Sequence, residues 1–91
     1  MGQLDDTARR LLREMGYQAE ANPTPGAPLL PREAAENLDL DPSSPEYQAA
    51  LDHLVSLGDI EPSADPALRE QGLYRLTVGG LKRVREIRWW Q

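Results

Sequence analysis

Cysteine and phenylalanine are both missing from these 91 residues, lysine and histidine occur once each, and two Trp and three Tyr are the only aromatics. Without cysteine, disulfides, thiolate metal sites and cysteine nucleophiles are excluded together. A lone histidine leaves no second His or Cys from which to build a metal site around it. No apolar run approaches the ~20 residues that a bilayer-spanning helix needs. The first residues, Met1 to Asp6, lack the basic and apolar regions of a secretory signal, so a soluble, cytoplasmic protein without a membrane contact is expected. The length predicts one domain over 1–91, burying about 60–65% of the surface its unfolded chain exposes. Its core must be small and made of Leu, Val, Ile and Ala, with no room for a catalytic domain beside a recognition domain.

What is present is dense in helix signals. Leu4, Ala8, Leu11, Leu12 and Met15 recur at the three-and-four spacing of one helix face, with Arg9, Arg10, Arg13 and Glu14 mostly on the other. A first helix over 4–15 follows, with Gly16 as its C-cap. Asn22 to Pro28 reads as loop, because each proline removes a backbone donor and restricts the residue before it. Leu29 and Leu30 then form either a small added strand or extended linker. Pro31 suits the first turn of a second helix, 31–38, that buries Ala34, Ala35 and Leu38. Asp39 to Ser43 makes the turn, with Leu40 pinned into the core.

The third helix, 44–57, opens on two overlapping signals. Ser44 before Pro45 fits an N-cap followed by proline at the first helical position, and Ser43 with Glu46 fits a capping box. Gly58 ends it. Its buried face is Tyr47, Ala50, Leu51, Leu54 and Leu57, which turns Gln48, Ala49, Asp52, His53 and Ser56 outward. Ile60 to Pro62 forms a brief strand, with Pro62 at an edge or strand end. Asp65, Pro66 and Gly72 bound a helical turn rather than a tight hairpin. In the returning strand Tyr74 and Leu76 share one face, Leu73 and Arg75 the other. Thr77 caps a last helix, 78–90, whose Gly79 and Gly80 weaken its first turn by about 1 kcal/mol each relative to Ala.

An amphipathic helix, then Gly58-Asp59-Ile60-Glu61-Pro62, then Tyr74-Arg75-Leu76-Thr77 and Gly80-Leu81, is an order that resembles the winged helix-turn-helix domain. The last wing strand of that family often reads Tyr-x-Leu-Thr-x-x-Gly and runs straight into a helix. The resemblance implies a mainly α fold with a small β-wing, a three-helix core plus a C-terminal helix. The helix-turn-helix would cover 31–57, the wing 58–77 and the C-terminal helix 78–91. It implies a transcription-regulator-like, DNA-binding role in which the third helix enters the major groove of double-stranded DNA. Gln48 and His53 would then face the groove, with Arg69, Arg75, Lys82 and Arg83 near phosphates.

Charge opposes that role. Residues 31–57 set Arg32 against Glu33, Glu36, Asp39, Asp41, Glu46 and Asp52, five net negative charges. Residues 58–71 set Arg69 against Asp59, Glu61, Asp65 and Glu70, three net negative charges. Residues 72–91 set Arg75, Lys82, Arg83, Arg85 and Arg88 against Glu86, four net positive charges. Duplex affinity comes largely from neutralising phosphates and releasing counterions. The outward face of the third helix offers Gln48 to an adenine edge and Asp52 or Glu46 to cytosine N4, but no Arg for guanine. The alternative is a protein-binding winged helix whose acidic helix-turn-helix face meets a basic partner.

Enzyme chemistry is not expected. A base held against a nucleophile in a dry pocket is required, and these carboxylates sit at helix starts and polar faces, where capping and solvation explain them. No cofactor or metal is implied, and Gly79-Gly80 is too short a signal for a phosphate loop. The last helix spaces Val78, Leu81, Val84 and Ile87 every third position and ends on Trp89 and Trp90. Neighbouring helix positions point about 100° apart, so one small core cannot bury both tryptophans. Trp and Arg are enriched in interface hot spots, and in several winged-helix repressor families the terminal helix builds the homodimer. Trp89 and Trp90 are therefore the expected interface of a homodimer.

Overall fold

The computed structural model describes residues 6–21 and 28–89, with the side chains of residues 88 and 89 outside that description. The described residues form five helices and one two-stranded antiparallel sheet. In chain order these are α1 (Asp6–Ala21), α2 (Pro31–Asn37), α3 (Pro45–Ser56), β1 (Ile60–Pro62), α4 (Pro66–Glu70), β2 (Tyr74–Leu76) and α5 (Val78–Trp89). The expected contributions of Leu4, Trp90 and the Trp89 side chain, and most of the proline-rich loop, lie outside the described residues.

α1 is the hub, packing against α2, α3 and α5. Its stripe of Ala8, Leu11, Leu12 and Met15 is fully buried, and with Leu54 and Ile60 it makes the centre of the core. The helix does not stop at Gly16. It runs on to Ala21, with Gly16 buried in mid-helix. The reason is tertiary: a Cβ built on Gly16 would lie 2.5 Å from Val84 Cγ1, so this glycine is where α5 crosses α1. The last turns of α1 are also held from outside. Gln18 donates from Nε2 to the Leu30 carbonyl at 2.9 Å and accepts from the Leu30 N–H at 3.0 Å.

Local chemistry sets the other boundaries. Pro31 opens α2 at its first turn, and Ala34 and Ala35 give α1 a close-packing face. Asp39 then takes a left-handed conformation, φ 58°. Ser44, not Ser43, caps α3: its Oγ accepts from Tyr47 N–H at 3.2 Å and donates to the Asp41 carbonyl at 2.7 Å. Ser43 instead donates from both N–H and Oγ to the Asp41 carboxylate, which closes the turn before α3. Those two donors hold the Asp41 carboxyl below its ordinary range. Gly58, at φ 77°, ends the segment after α3.

In the sheet Ile60 pairs with Leu76, Glu61 with Arg75 and Pro62 with Tyr74. Tyr74 turns its N–H and C=O to Leu29 on the other edge, at 2.9 and 2.7 Å. Pro62 therefore lacks a donor only where none is called for. Leu29 thus adds an isolated bridge rather than a full strand. Between the strands, Asp65 caps α4 by accepting from Ala67 N–H at 3.0 Å, and Gly72, at φ 80°, closes the turn. Thr77 Oγ1 accepts from Gly80 N–H at 2.9 Å and starts α5.

α5 departs from the expected stripe. Val84 and Ile87 are buried, whereas Val78 is 86% and Leu81 42% exposed. Each three-residue step falls about 60° short of a full rotation. Three such steps carry Ile87 to the far side of the helix from Val78. The true inner face is Gly80, Val84 and Ile87.

Candidate functional site

Three regions carry polar side chains in concert: the outer face of α3, the sheet with the start of α5, and the end of the bundle where α1, α2 and α3 meet. The α3 face is as spaced in the sequence, with Glu46, Gln48, Ala49, Asp52 and Ser56 all exposed. It is not idle. Gln48 donates from Nε2 to Asp52 Oδ1 at 2.9 Å, one helical turn along. His53, expected outward, is half-buried, and its Nε2 is enclosed without a hydrogen-bond partner among the described residues. Tyr47 is on the buried side, and burial raises its phenol above the ordinary value, with Tyr74 adding to the shift and Arg32 opposing it.

The four basic residues assigned to phosphates divide into two pairs. Arg75 is bound to Glu61, directly opposite it in the sheet register. Arg83 meets Asp59 across an Nε–Oδ2 distance of 2.7 Å. Asp59 is only 2% exposed. The atoms touch without the alignment of a hydrogen bond, so the link is a contact of charges. Arg69 on α4 and Lys82 on α5 are exposed and form no ion pair among the described residues, and the same holds for Arg85. Among the described residues Arg69 and Lys82 are therefore unpaired at the surface, while Arg75 and Arg83 are tied to Glu61 and Asp59.

Sequence spacing gave no sign of the Asp59–Arg83 pair, because no helical or strand period relates these positions. The pair belongs to a knot of contacts around Asp59. Its N–H donates to the Leu54 carbonyl, its carbonyl accepts from the Thr77 N–H, and the Thr77 hydroxyl donates to the neighbouring Gly58 carbonyl. A cleft of about 280 Å³ lies beside this knot, lined by Gly58, Asp59, Gly79, Lys82, Arg83 and Glu86 among others. At the other end, a cleft of about 380 Å³ is lined by Asp6, Arg9, Arg10, Arg13 and Leu38. Arg9 and Arg10 both reach Asp6 at 3.2 Å, spacings of three and four that the sequence did contain.

Among the described residues no three His, Asp or Glu side chains gather as a metal site would require. No described helix is long and apolar enough to cross a membrane. No family model, characterised protein or solved structure matches the chain.

Proposed function

We propose that this is a non-enzymatic binding domain of the winged-helix kind, whose acidic α2–α3 face engages a basic protein partner. One observation carries the choice between partners. The exposed face of α3 holds Glu46 and Asp52 and no cation, while Arg75 and Arg83 are already held by Glu61 and Asp59. A phosphate approaching α3 would meet carboxylates first, and two of the four cations assigned to grip it would have to break ion pairs. A basic polypeptide meets the complementary field, which favours both encounter and correct orientation.

DNA-binding transcription regulation is the second reading. Exposed Arg69, Lys82 and Arg85, free of ion pairs among the described residues, favour it. The test sets two labelled probes, poly-L-lysine and a mixed-sequence DNA duplex, against the wild type and a Glu46→Gln, Asp52→Asn double variant. The double variant should lose poly-L-lysine binding and leave duplex binding negligible. Duplex binding that strengthens into the micromolar range at physiological salt would place α3 in a groove and overturn the protein-partner reading.

A further inference from the structure

The first turns of α1 set four charged side chains around one opening. At about 100° per residue, Asp6 and Arg13 both fall inside the sector between Arg9 and Arg10, Asp6 one turn before that pair and Arg13 one turn after it. Asp6 takes the near side. Arg9 Nη2 donates to its Oδ1 at 3.2 Å, and its Oδ2 lies 3.2 Å from Arg10 Nε. Each carboxylate oxygen thus serves one guanidinium, so the chain's own acid shows that an oxyanion fits between these arginines. The far side is bounded by Arg9, Arg10 and Arg13. All four side chains line the cleft of about 380 Å³ that Leu38 closes at the end of α2.

Three cations against one acid leave two net positive charges in this cleft, in a chain that carries five net negative ones. Arg13 stands four residues from Arg9 and three from Arg10, spacings at which like charges disfavour a helix. An anion held among them removes that repulsion. Because α1 is the hub of the core, the three side chains project from a rigid element rather than a loop.

Charge and shape select the anion. Guanidinium forks fit phosphate oxygens in pairs, and a phosphate monoester carries about two negative charges near neutral pH, which equals the excess of the cleft. A carboxylate carries one, and Asp6 already supplies it. The surroundings limit the number of phosphates to one. Past Arg10 and Leu38 a second cleft of about 110 Å³ begins, lined also by Asp39, Leu40 and Glu46. Leu38 and Leu40 offer apolar surface to the organic part of an ester. Asp39 and Glu46 repel the further phosphates that a nucleic-acid strand would bring.

We propose that the Arg9–Arg10–Arg13 cleft binds a single phosphate monoester, with its phosphate among the three guanidiniums and its organic part over Leu38 and Leu40. Asp6 is the resident carboxylate with which the ligand competes. The site does not depend on what the acidic face of α3 binds.

Amide-shift titrations of the full chain test it with phenyl phosphate, a glycine pentapeptide carrying one central phosphoserine, sodium acetate and a mixed-sequence DNA duplex. Phenyl phosphate should bind at about 1 mM in low salt, as two or three exposed ion pairs allow, with shifts centred on Arg9 to Arg13 and Leu38. Acetate at the same concentration should shift nothing there. The Arg9→Gln, Arg10→Gln variant should weaken binding about tenfold or more. Asp6→Asn should tighten it about tenfold, the effect in water of one negative charge about 6 Å from a dianion. That gain cannot come from a chain that fails to fold. Glu70→Gln removes the same charge from exposed α4 and should leave the affinity as in the wild type. A phosphopeptide that binds more tightly than phenyl phosphate assigns the ester to a phosphorylated protein, and the reverse order assigns it to a small molecule; both support the site. No shift at α1 with either ester up to about 10 mM overturns the proposal. So does equal tightening by Asp6→Asn and Glu70→Gln, or a duplex that binds more tightly than both esters through the same arginines.

Discussion

Gly80 lies against the Asp59 backbone so closely that a Cβ placed on it would overlap the Asp59 carbonyl. The close approach is what lets the start of α5 sit on the turn that follows α3. The Asp59 carbonyl is held by the Thr77 N–H, with the Thr77 hydroxyl bound beside it to the Gly58 carbonyl, so it has little room to retreat. Its neighbour Gly79 faces mostly open space, with Thr77 Oγ1 at 3.7 Å from the corresponding Cβ position.

These two glycines should therefore answer oppositely to the same change. Helix propensity alone favours Ala over Gly by about 1 kcal/mol. Gly79→Ala should collect part of that gain and stabilise the domain. Gly80→Ala should destabilise it by about 2 kcal/mol or more, because overpacking against backbone outweighs propensity. Urea denaturation of the two variants reads the difference, and equal effects would mean that α5 does not sit where described.

Gly16 and Val84 make a second, softer crossing. Here the obstacle is a side chain, so the cost of Gly16→Ala is set by how far Val84 can yield. A clash of about 1–3 kcal/mol is offset by the propensity gain, leaving a modest net loss. Val84→Ala alone should destabilise by removing buried methyls, but it should relieve Gly16→Ala. A double-mutant cycle should show favourable coupling of at least about 0.5 kcal/mol. Additive losses would contradict the contact.

What could be read from the sequence follows the reach of each signal. Ser44, Asp65 and Thr77 cap within three residues, and Pro31, Pro45 and Pro66 open helices by their own φ, so those starts were legible. The alternation of Tyr74 and Leu76 was legible for the same reason, and both pack on the core. Gly16 was misread because a helix-ending glycine and a helix-crossing glycine look alike until Val84 is brought against one of them. The every-third stripe of α5 was misread because that spacing drifts around a helix, which exposed Val78 and Leu81. At the candidate site, the acidity of α3 was plain from composition. The neutralisation of Arg75 and Arg83 was not, since Glu61 and Asp59 reach them only through folding.

Tyr47 gives a pH dependence with a definite sign. Its phenol is raised in the folded state, chiefly by burial. A group raised on folding contributes its full stability below the unfolded value, about 10 for tyrosine, and loses it as pH climbs through the folded value. The wild type should therefore lose stability relative to Tyr47→Phe as pH rises above about 10, with a constant difference between the two below about 9. Denaturation midpoints measured across that range check it. A difference that shrank in favour of the wild type would reverse the sign and contradict burial of the phenol.

The Asp59–Arg83 pair should prove asymmetric. Asp59 is nearly inaccessible, whereas the Arg83 side chain keeps 32% of its surface in solvent. Removing the cation with Arg83→Met strands a carboxylate in the interior, a loss of about 3 kcal/mol or more. Removing the anion with Asp59→Asn leaves a partly exposed guanidinium that can turn to water and a neutral amide in place of the buried charge. That change should cost less, about 1–2 kcal/mol. The double variant should fall short of the sum, because the second change removes the charge that the first one stranded. Urea denaturation of the three chains decides the matter. If Asp59→Asn proved the costlier single change, the carboxylate would be serving the backbone around Thr77 rather than Arg83, and the charge contact would not be what fastens α5 to the turn after α3.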